Sequence, residues 1–422
     1  MKTFFIKTLG CKVNQYESQI IREDLSRSGF TEVSGLDEAD ICVVNTCTVT
    51  SISDSKSVRA IRRALNEQKC VIATGCMVED GQFDLSKLKG VRYIIKNKDK
   101  HRIANVINPA SGIYPSGSSP SISGFKGHTR VFVKVQDGCN NTCSYCKVKV
   151  VRGRSISRPV ENVVDECLQL ITKGVKEIVL TGICLGAYGK DIKNGMNLSK
   201  LIKVLCDING DWRLRLSSIE PKDIDNDLIN QLESQRRLCK HLHLPFQSGD
   251  NCILKMMKRP YKAKDYIGVV NNLRGAVPDI AISTDVMVGF PGETEKRFEN
   301  TVDFIETVRP MRMHIFPFSK RKGTEAYDYR DDVTLDVKRK REKKLFLIAA
   351  ALSTEFLDKF IDKEVEVLVE SRRAQDGNLQ GYTDRYIKVY IDGPDNLKDR
   401  LISSQLTLTN SKAYGILHPY LI

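Results

Sequence analysis

The stretch Asp137-Gly138-Cys139-Asn140-Asn141-Thr142-Cys143-Ser144-Tyr145-Cys146 places three cysteines at the spacing Cys-x3-Cys-x2-Cys. Cysteine thiolates are the usual protein ligands of iron–sulfur clusters, and three of them leave one iron of a four-iron cluster open to a small molecule. Gly138, Asn140 and Asn141 suit a loop that wraps tightly around such a cluster. The alternatives are three unconnected core thiols or a zinc site, but no Cys or His follows Cys146 at zinc-finger spacing.

The composition indicates a multidomain protein with a basic surface. A chain of 422 residues is long for one domain, and 41% hydrophobic residues are enough for sizeable cores. No apolar run approaches the roughly 20 residues that span a bilayer, and residues 1–6 are too short for the core of a signal peptide. We therefore expect a cytoplasmic protein without a membrane segment. The net charge of +14 suits a polyanion such as nucleic acid, although an inert basic surface fits it equally well.

Thirteen cysteines, an odd number in a large chain, favour metal ligands and core thiols over disulfides. Residues 1–107 alternate strands, at 4–6, 41–44, 71–73 and 91–95, with helices, which predicts a parallel sheet. Three of these strands run into Cys11, Cys47 and Cys76. Because the carboxyl ends of parallel strands share one edge, we expect these thiols to converge as a second three-cysteine cluster site. The alternative, small buried residues, fits Cys42 and Cys70.

Three further segments follow the first domain. Residues 108–128 are rich in Pro, Gly and Ser and predict a linker. Residues 129–361 contain apolar strands at 131–135, 177–180, 212–216, 241–244, 282–286 and 313–316, which predict an open partial (β/α)6 barrel followed by a connecting helix. Its active site would lie at the carboxyl ends of the strands. Gly182, Ser218, Glu220 and Gln247 stand there, as ligand contacts or as ordinary turn residues.

Residues 362–422 switch to the alternation of strands, with turns at 376–378 and 392–394, and predict a small five-stranded β-barrel. Its charged and aromatic side chains offer charge and stacking surface for RNA. A short basic run also follows the last barrel strand. The predicted RNA contacts are Lys320, Arg321, Lys322, Arg372, Arg373 and Arg385.

The cysteine loop after an apolar strand resembles that of the radical S-adenosylmethionine (SAM) enzymes, and the whole chain resembles the methylthiotransferase family. The resemblance rests on six motifs in the family's order, and the C-terminal module resembles the family's RNA-binding TRAM domain. The motifs are Thr8-Leu9-Gly10-Cys11-Lys12-Val13-Asn14, Asn45-Thr46-Cys47-Thr48-Val49, Gly75-Cys76, the stretch from Asp137 to Cys146, Arg152-Gly153-Arg154, and Gly289-Phe290-Pro291-Gly292-Glu293-Thr294.

The resemblance implies an α/β fold with three parts: a parallel-sheet domain, a radical SAM barrel and a TRAM-like barrel. It implies two [4Fe-4S] clusters, one on Cys139, Cys143 and Cys146 and a second on Cys11, Cys47 and Cys76. One SAM would donate a methyl group to sulfur, and another would yield the radical that removes hydrogen from an unactivated carbon. No catalytic residue is expected beyond the cluster ligands. The predicted SAM contacts are Tyr145, Gly182, Ser218, Glu220 and Gln247.

The family's substrates are tRNA adenosines at position 37, in the anticodon loop, or a ribosomal-protein aspartate. Residues 135–138 and 316–324 look most like the enzymes acting on threonylcarbamoyladenosine, with isopentenyladenosine as the runner-up. A protein that binds RNA and a cluster without catalysis is the alternative from another class. An electron donor such as flavodoxin or ferredoxin is expected, and the sulfur donor stays open. Lys149, where the family commonly has proline, and Cys184, where asparagine is usual, depart from the pattern.

Overall fold

The N-terminal part of the chain is a parallel sheet with helices on both faces. The computed structural model describes residues 2–81, 85–108, 120–409 and 412–417. The strands of this part are β1 Thr3–Thr8, β2 Thr31–Glu32, β3 Ile41–Thr46, β4 Cys70–Gly75 and β5 Val91–Ile95. Its α-helices are α1 Lys12–Arg27, α2 Ser51–Asn66, α3 Cys76–Glu79 and α4 Ile103–Ile107. The strands lie in the order β2-β1-β3-β4-β5, all parallel, which confirms the predicted sheet.

Strand β3 shows why this sheet needs helices on both sides. All of its residues are buried. Ile41 and Val43 pack on one face with side chains of α1, whereas Cys42 and Val44 pack on the other face with side chains of α2. Successive side chains of a strand point to opposite faces, so an unbroken apolar strand requires cover on both. Cys42 is thereby a core thiol.

The central part contains two three-stranded parallel sheets, in the orders β10-β9-β6 and β11-β12-β13. Its strands are β6 Arg130–Lys134, β7 Gln136–Asp137, β8 Ile156–Ser157, β9 Glu177–Thr181, β10 Arg213–Leu216, β11 His241–His243, β12 Ala281–Val288 and β13 Arg312–Pro317. Its α-helices are α5 Val148–Arg152, α6 Val160–Thr172, α7 Leu198–Cys206, α8 Asn226–Ser234, α9 Asn251–Met256, α10 Ala263–Ala276 and α11 Glu295–Val308. A parallel bridge between Ser218 and His243 links the two sheets. The result is the predicted open arrangement of βα units.

The C-terminal part is a closed β-barrel that follows the long helix α12 Leu335–Asp358. Its strands are β14 Glu364–Val369, β15 Leu379–Thr383, β16 Lys388–Ile391, β17 Leu401–Thr409 and β18 Lys412–Leu417. They pair in the order β14-β15-β16-β18-β17, which confirms the predicted five-stranded barrel. Of the predicted linker, residues 109–119 lie outside the described residues. Within the described part of the chain, no helix is long and apolar enough to cross a bilayer.

Charged residues at the amino ends of the central strands hold the C-terminal barrel. The buried carboxylate of Glu177 accepts hydrogen bonds of 2.7 Å from Arg213 and from Arg215. The two guanidinium groups also donate to the backbone oxygens of Tyr382, Thr383 and Asp384. Each arginine thus joins one buried carboxylate to the C-terminal barrel. A lysine could not replace it, because a lysine lacks the planar set of five donors.

The first prediction concerns Glu177. Despite burial, which opposes ionisation, Arg215 and Arg213 hold the pKa of Glu177 well below its usual range. Glu177→Gln leaves two buried cations without a carboxylate, so we expect a loss of about 3 kcal/mol of folding free energy and a lower melting temperature. The stabilisation is present above the unfolded pKa of about 4.3 and is lost as the pH falls toward the folded pKa. The difference between wild type and variant should therefore shrink in acid.

The matched control for this variant is Glu161→Gln, which removes the same charge from an exposed position at the start of α6. Surface charges of this kind contribute little to stability, so its melting temperature should stay near that of the wild type. Equal melting temperatures for the two variants would show that the Glu177 cluster does not stabilise the fold.

Candidate functional site

A cavity of about 370 Å³ lies at the carboxyl ends of the central strands, where ligands of βα barrels bind. Its wall is shared by the cysteine loop, by the ends of β12 and β13, and by residues that follow β3 of the N-terminal domain. Cys139, Cys143 and Cys146 all line it. The charged and amide side chains of the wall are those of Asn141, Lys147, Lys149, Glu220, Gln247, Arg259, Asp285 and Arg321.

The cysteine loop is fixed by two residues at its start. Gly138 has a φ of +70°, and a Cβ at this position would lie 1.9 Å from the backbone oxygen of Arg154, so no other residue fits. Gln136 is buried, and its Nε2 donates to the backbone oxygens of Asp137 and Gly138 at 2.8 and 2.7 Å. These contacts fix the shape of the loop.

Each sulfur of the loop has an N–H donor at 3.4 Å. The backbone N–H of Asn141 donates to Cys139 Sγ, that of Val148 donates to Cys146 Sγ, and the guanidinium of Arg259 donates to Cys143 Sγ. Such donors stabilise thiolates and tune iron–sulfur clusters. These donors also fit the three thiolates that a cluster requires.

Partial burial distinguishes the thiols of the loop from fully exposed surface cysteines. It raises the pKa of Cys146 to about 12, so a thiolate there needs a bound cation. A mononuclear zinc site would hold its sulfurs within about 4 Å of one another. Among the described residues, neither cysteine triplet brings its three sulfurs within 4.8 Å. The wider spacing fits thiolates that bind separate irons of one cluster.

The second cysteine triplet lies where the parallel sheet predicts it. Cys11, Cys47 and Cys76 each follow the end of a strand, and the three thiols interact electrostatically with one another. Cys47 and Cys76 are buried and Cys11 is exposed, yet desolvation of the sulfur raises the pKa of all three thiols. Gly10, at a φ of +98°, keeps the turn close to Cys47, because a Cβ there would lie 3.0 Å from its sulfur.

Arg152 connects the two cysteine sets. It ends α5, which follows the cysteine loop, and its Nε donates to Cys76 Sγ at 3.3 Å. Its Nη1 also donates to the buried carboxylate of Glu17 at 2.6 Å. Although burial opposes ionisation, Lys100, Lys134 and Arg152 together hold the pKa of Glu17 well below its usual range. This charge network packs the N-terminal domain against the barrel.

Three of the predicted SAM contacts line the cavity and two do not. Tyr145, Glu220 and Gln247 belong to its wall. Oε1 of Gln247 is buried without a hydrogen-bond partner, and the residue has a φ of +70°, a strained conformation that is typical of ligand sites. Gly182 instead makes room for Gln136, whose Oε1 would lie 2.7 Å from an added Cβ. Ser218 is half-buried outside the wall, so contacts of Gly182 and Ser218 with SAM stay predictions.

Sequence reasoning missed Arg259. Its guanidinium donates to Cys143 Sγ, to the carboxylate of Glu220 and to the backbone oxygen of Pro245. It therefore joins the cysteine loop to two strand ends of the barrel. It follows α9 in an ordinary basic turn, and no spacing or motif in the sequence distinguishes it. The unpartnered Oε1 of Gln247 and the guanidinium of Arg259 beside Glu220 suit a ligand that carries both an amine and a carboxylate.

The predicted RNA contacts have different surroundings. Lys320, Lys322 and Arg372 are exposed. Arg373 is exposed but pairs with Asp395 at 2.7 Å. Arg385 pairs with Asp384, and its guanidinium lies over the ring of Phe360. The sixth residue of the predicted set, Arg321, is buried.

Arg321 is only 7% exposed and belongs to the contact between domains. Its Nη2 donates to the backbone oxygen of Thr48 at 2.8 Å and pairs with Asp54 at 2.6 Å. Its Nε is buried without a partner, and its side chain lines the cavity. Arg321 is thus a residue of the cavity wall rather than a surface cation.

The two departures from the family pattern both lie beside the cysteine loop. Lys149 is exposed and lines the cavity. Cys184 is buried, and its thiol is in hydrogen-bond contact with Cys139, which lowers the pKa of Cys139 to about 7. It also donates to Asp223 at 3.8 Å. Cys184 is therefore a direct neighbour of a candidate cluster ligand.

Comparison with known proteins agrees with this arrangement. The family model of the radical SAM superfamily matches residues 133–305, and that of the uncharacterized protein family UPF0004 matches residues 3–96. The threonylcarbamoyladenosine tRNA methylthiotransferase MtaB of Bacillus subtilis is 35% identical over 96% of this chain and 94% of its own length. The protein of the same name from Thermotoga maritima is 39% identical over 92% and 91%. The chain belongs to the radical SAM methylthiotransferases.

Other members of this family carry a different substrate in their names. The tRNA-2-methylthio-N(6)-dimethylallyladenosine synthase of Clostridium tetani is 34% identical over 97% of this methylthiotransferase and 94% of its own length. Among solved structures, the radical SAM methyltransferase TsrM from Kitasatospora setae has a TM-score of 0.57 at 14% identity, over 78% of this chain and 77% of its own, which supports the fold. As a radical SAM methylthiotransferase, the protein uses [4Fe-4S] chemistry and SAM.

The second prediction tests the two cysteine sets as separate cluster sites. After anaerobic reconstitution, Cys143→Ala and Cys47→Ala should each lose about half of the iron, because each removes a ligand of a different cluster. Cys143→Ala should also abolish 5′-deoxyadenosine formation, whereas Cys47→Ala should retain measurable SAM cleavage. Iron and acid-labile sulfide are measured together with 5′-deoxyadenosine.

The control is Cys42→Ala, a thiol of the sheet core that should leave the iron content unchanged. A Cys47→Ala protein with the full iron content of the wild type would contradict the assignment of the second cluster.

Proposed function

We propose that this protein methylthiolates C2 of N6-threonylcarbamoyladenosine at position 37 of tRNA. It would use two [4Fe-4S] clusters, on Cys139, Cys143 and Cys146 and on Cys11, Cys47 and Cys76, with SAM as both methyl donor and radical source. Side-chain acids and bases cannot remove hydrogen from such a carbon, so the cofactors supply the radical chemistry. The protein supplies binding, orientation and charge.

The positive charge of the cavity wall is the observation that favours threonylcarbamoyladenosine as the substrate. Lys147, Lys149, Arg259 and Arg321 line the cavity, against the carboxylates of Glu220 and Asp285. Lys147 pairs with Asp80, and Arg259 pairs with Glu220. Lys149 is exposed at the wall, and Nε of Arg321 is a buried donor without a partner. The carboxylate of the threonylcarbamoyl group is an acceptor that suits these two donors.

The relatives support the same choice. Two methylthiotransferases named for threonylcarbamoyladenosine are 35% and 39% identical to this chain, whereas the relative from Clostridium tetani that is named for dimethylallyladenosine is 34% identical. These identities lie close together, so the charge of the cavity has to separate the two substrates.

Isopentenyladenosine is the second candidate substrate, because the cavity also has an apolar side. Ile183, Met287, Phe316 and Phe318 line it, and an isopentenyl group needs such a wall. The carbamoyl-linked side chain is also partly apolar, however, so this wall serves either substrate. Only the carboxylate uses the unpaired donor of Arg321.

The residues around the cavity have separate roles in this reaction. Arg259 orients Glu220 and donates to Cys143. Oε1 of Gln247 is placed to accept a hydrogen bond from a bound ligand. Gln136 and Gly138 hold the cysteine loop in shape. A flavodoxin or ferredoxin would supply the electron, and the exposed lysines beside the cavity would meet the tRNA backbone.

The third prediction is the substrate itself. Purified enzyme with SAM, a reductant and a sulfur source should methylthiolate tRNA that bears threonylcarbamoyladenosine and leave tRNA with isopentenyladenosine unchanged. Mass spectrometry of the digested nucleosides measures both products. The reverse preference would refute the substrate and leave the chemistry intact. Cleavage of SAM without either product would point to the ribosomal-protein substrate or to another acceptor.

The fourth prediction concerns the exposed lysines that flank Arg321. Lys320→Ala and Lys322→Ala each remove one proposed phosphate contact, so the slope of log affinity against log salt should fall by about 0.7–0.9 for each lost contact. Titration of tRNA binding at several salt concentrations measures the slope. The control is Lys173→Ala at the end of α6, which should leave it unchanged. Equal slopes in all of these proteins would exclude the two lysines from the RNA interface.

A further inference from the structure

Three side chains on neighbouring strands bring metal-ligating atoms together beside the cavity. His243 of β11, Asp285 of β12 and His314 of β13 place their ligand atoms within 4.8 Å of one another, the one such group among the described residues. Asp285 and His314 are direct partners in the register of the parallel strands. His243 stands across from Ser283, two residues before Asp285. The sheet itself therefore assembles the group.

The distances match those within a metal coordination sphere. His243 Nε2 lies 3.3 Å and His314 Nδ1 lies 3.1 Å from the same oxygen of Asp285. The centroids of the two imidazole rings are 5.3 Å apart. Bonds of about 2.0–2.2 Å from nitrogen and oxygen to a divalent metal place neighbouring ligand atoms about 3 to 3.5 Å apart. The group can therefore close around one ion with small side-chain shifts.

Ser283 contacts the ring nitrogen of His243 that faces away from Asp285, as a residue behind a metal-binding histidine commonly does. Ser283 Oγ lies 3.0 Å from Nδ1 of His243 and 2.9 Å from Nε2 of the buried His241. When Nδ1 of His243 donates to this hydroxyl, the lone pair of Nε2 faces a carboxylate oxygen of Asp285. A cation between the two acceptors removes this conflict, and a hydrogen bond on the second nitrogen is the usual companion of histidine ligation.

We propose that His243, Asp285 and His314 bind one divalent transition-metal ion, such as Zn²⁺, at the wall of the cavity. Two imidazoles and one carboxylate are a common ligand set for such ions and leave coordination positions open. Asp285 lines the cavity, and the side chain of His314 is 60% exposed, so an ion and an oxygen ligand can reach the site. The substrate carboxylate is one such ligand; this last step rests on the proposed function.

The test measures zinc in the iron-loaded holoenzyme, in which the clusters occupy the cysteines. Holoenzyme is equilibrated with Zn²⁺ without oxygen, and zinc and iron per chain are measured by elemental mass spectrometry. The wild type should bind about one zinc ion in addition to its iron. Asp285→Asn and His314→Ala should bind zinc at least tenfold more weakly, as loss of even an outer partner costs that much. Their iron content and melting temperature should stay at the wild-type values.

The matched control is His128→Ala, which removes an exposed histidine that does not line this cavity and should bind zinc like the wild type. A wild-type holoenzyme that binds no zinc would overturn the site, and so would equal zinc binding by the wild type, Asp285→Asn and His314→Ala. In either case the three residues form only a hydrogen-bonded cluster. If zinc binds as expected but threonylcarbamoyladenosine tRNA is not converted, the metal site stands and the proposed substrate fails.

Discussion

The arrangement of the two cysteine sets depends on the buried carboxylate of Glu17. A carboxylate taken out of water without partners costs several kcal/mol, and Glu17 is stable only because Lys100, Lys134 and Arg152 surround it. These cations come from the N-terminal domain, from the first barrel strand and from the helix after the cysteine loop. Arg152 also contacts Cys76. The ion pairs of Glu17 therefore align the N-terminal sheet with the barrel and bring both cysteine sets to the same side of the molecule.

Burial and hydrogen bonding then prepare the sulfurs for iron. A buried thiolate is unfavourable without a cation, and the N–H groups of Asn141, Val148 and Arg259 reduce that cost without removing it. A bound metal offsets the remaining cost, because it stabilises the thiolates directly. Metal binding and deprotonation of these thiols are therefore coupled. Cys184 adds a thiol contact to Cys139, so a proposed cluster ligand has a thiol neighbour where the family usually has an asparagine.

The sequence was sufficient for features that local patterns determine and insufficient for those that depend on distant contacts. Cysteines at the ends of apolar strands predicted that Cys11, Cys47 and Cys76 converge, because parallel strands end at one edge. The closed C-terminal barrel followed from alternation and turns. Gln136 and Arg259, by contrast, work through partners that are remote in sequence. The basic run predicted Arg321 as an RNA contact at the surface. The chain turns inward there, however, and buries Arg321 between two exposed lysines.

The two ends of the central barrel carry different kinds of polar residue, and this separates assembly from chemistry. At the amino ends, Arg213 and Arg215 satisfy Glu177 and the backbone oxygens of the C-terminal barrel at the same time. That interface fixes the orientation of the small barrel, because the two arginines reach its backbone oxygens in only one relative position of the two barrels. The cavity opens at the carboxyl ends, beside Lys320 and Lys322. Under the proposed function, a tRNA held by the small barrel would extend along the central barrel to place its adenosine in the cavity, and its backbone would meet the lysines beside the entrance.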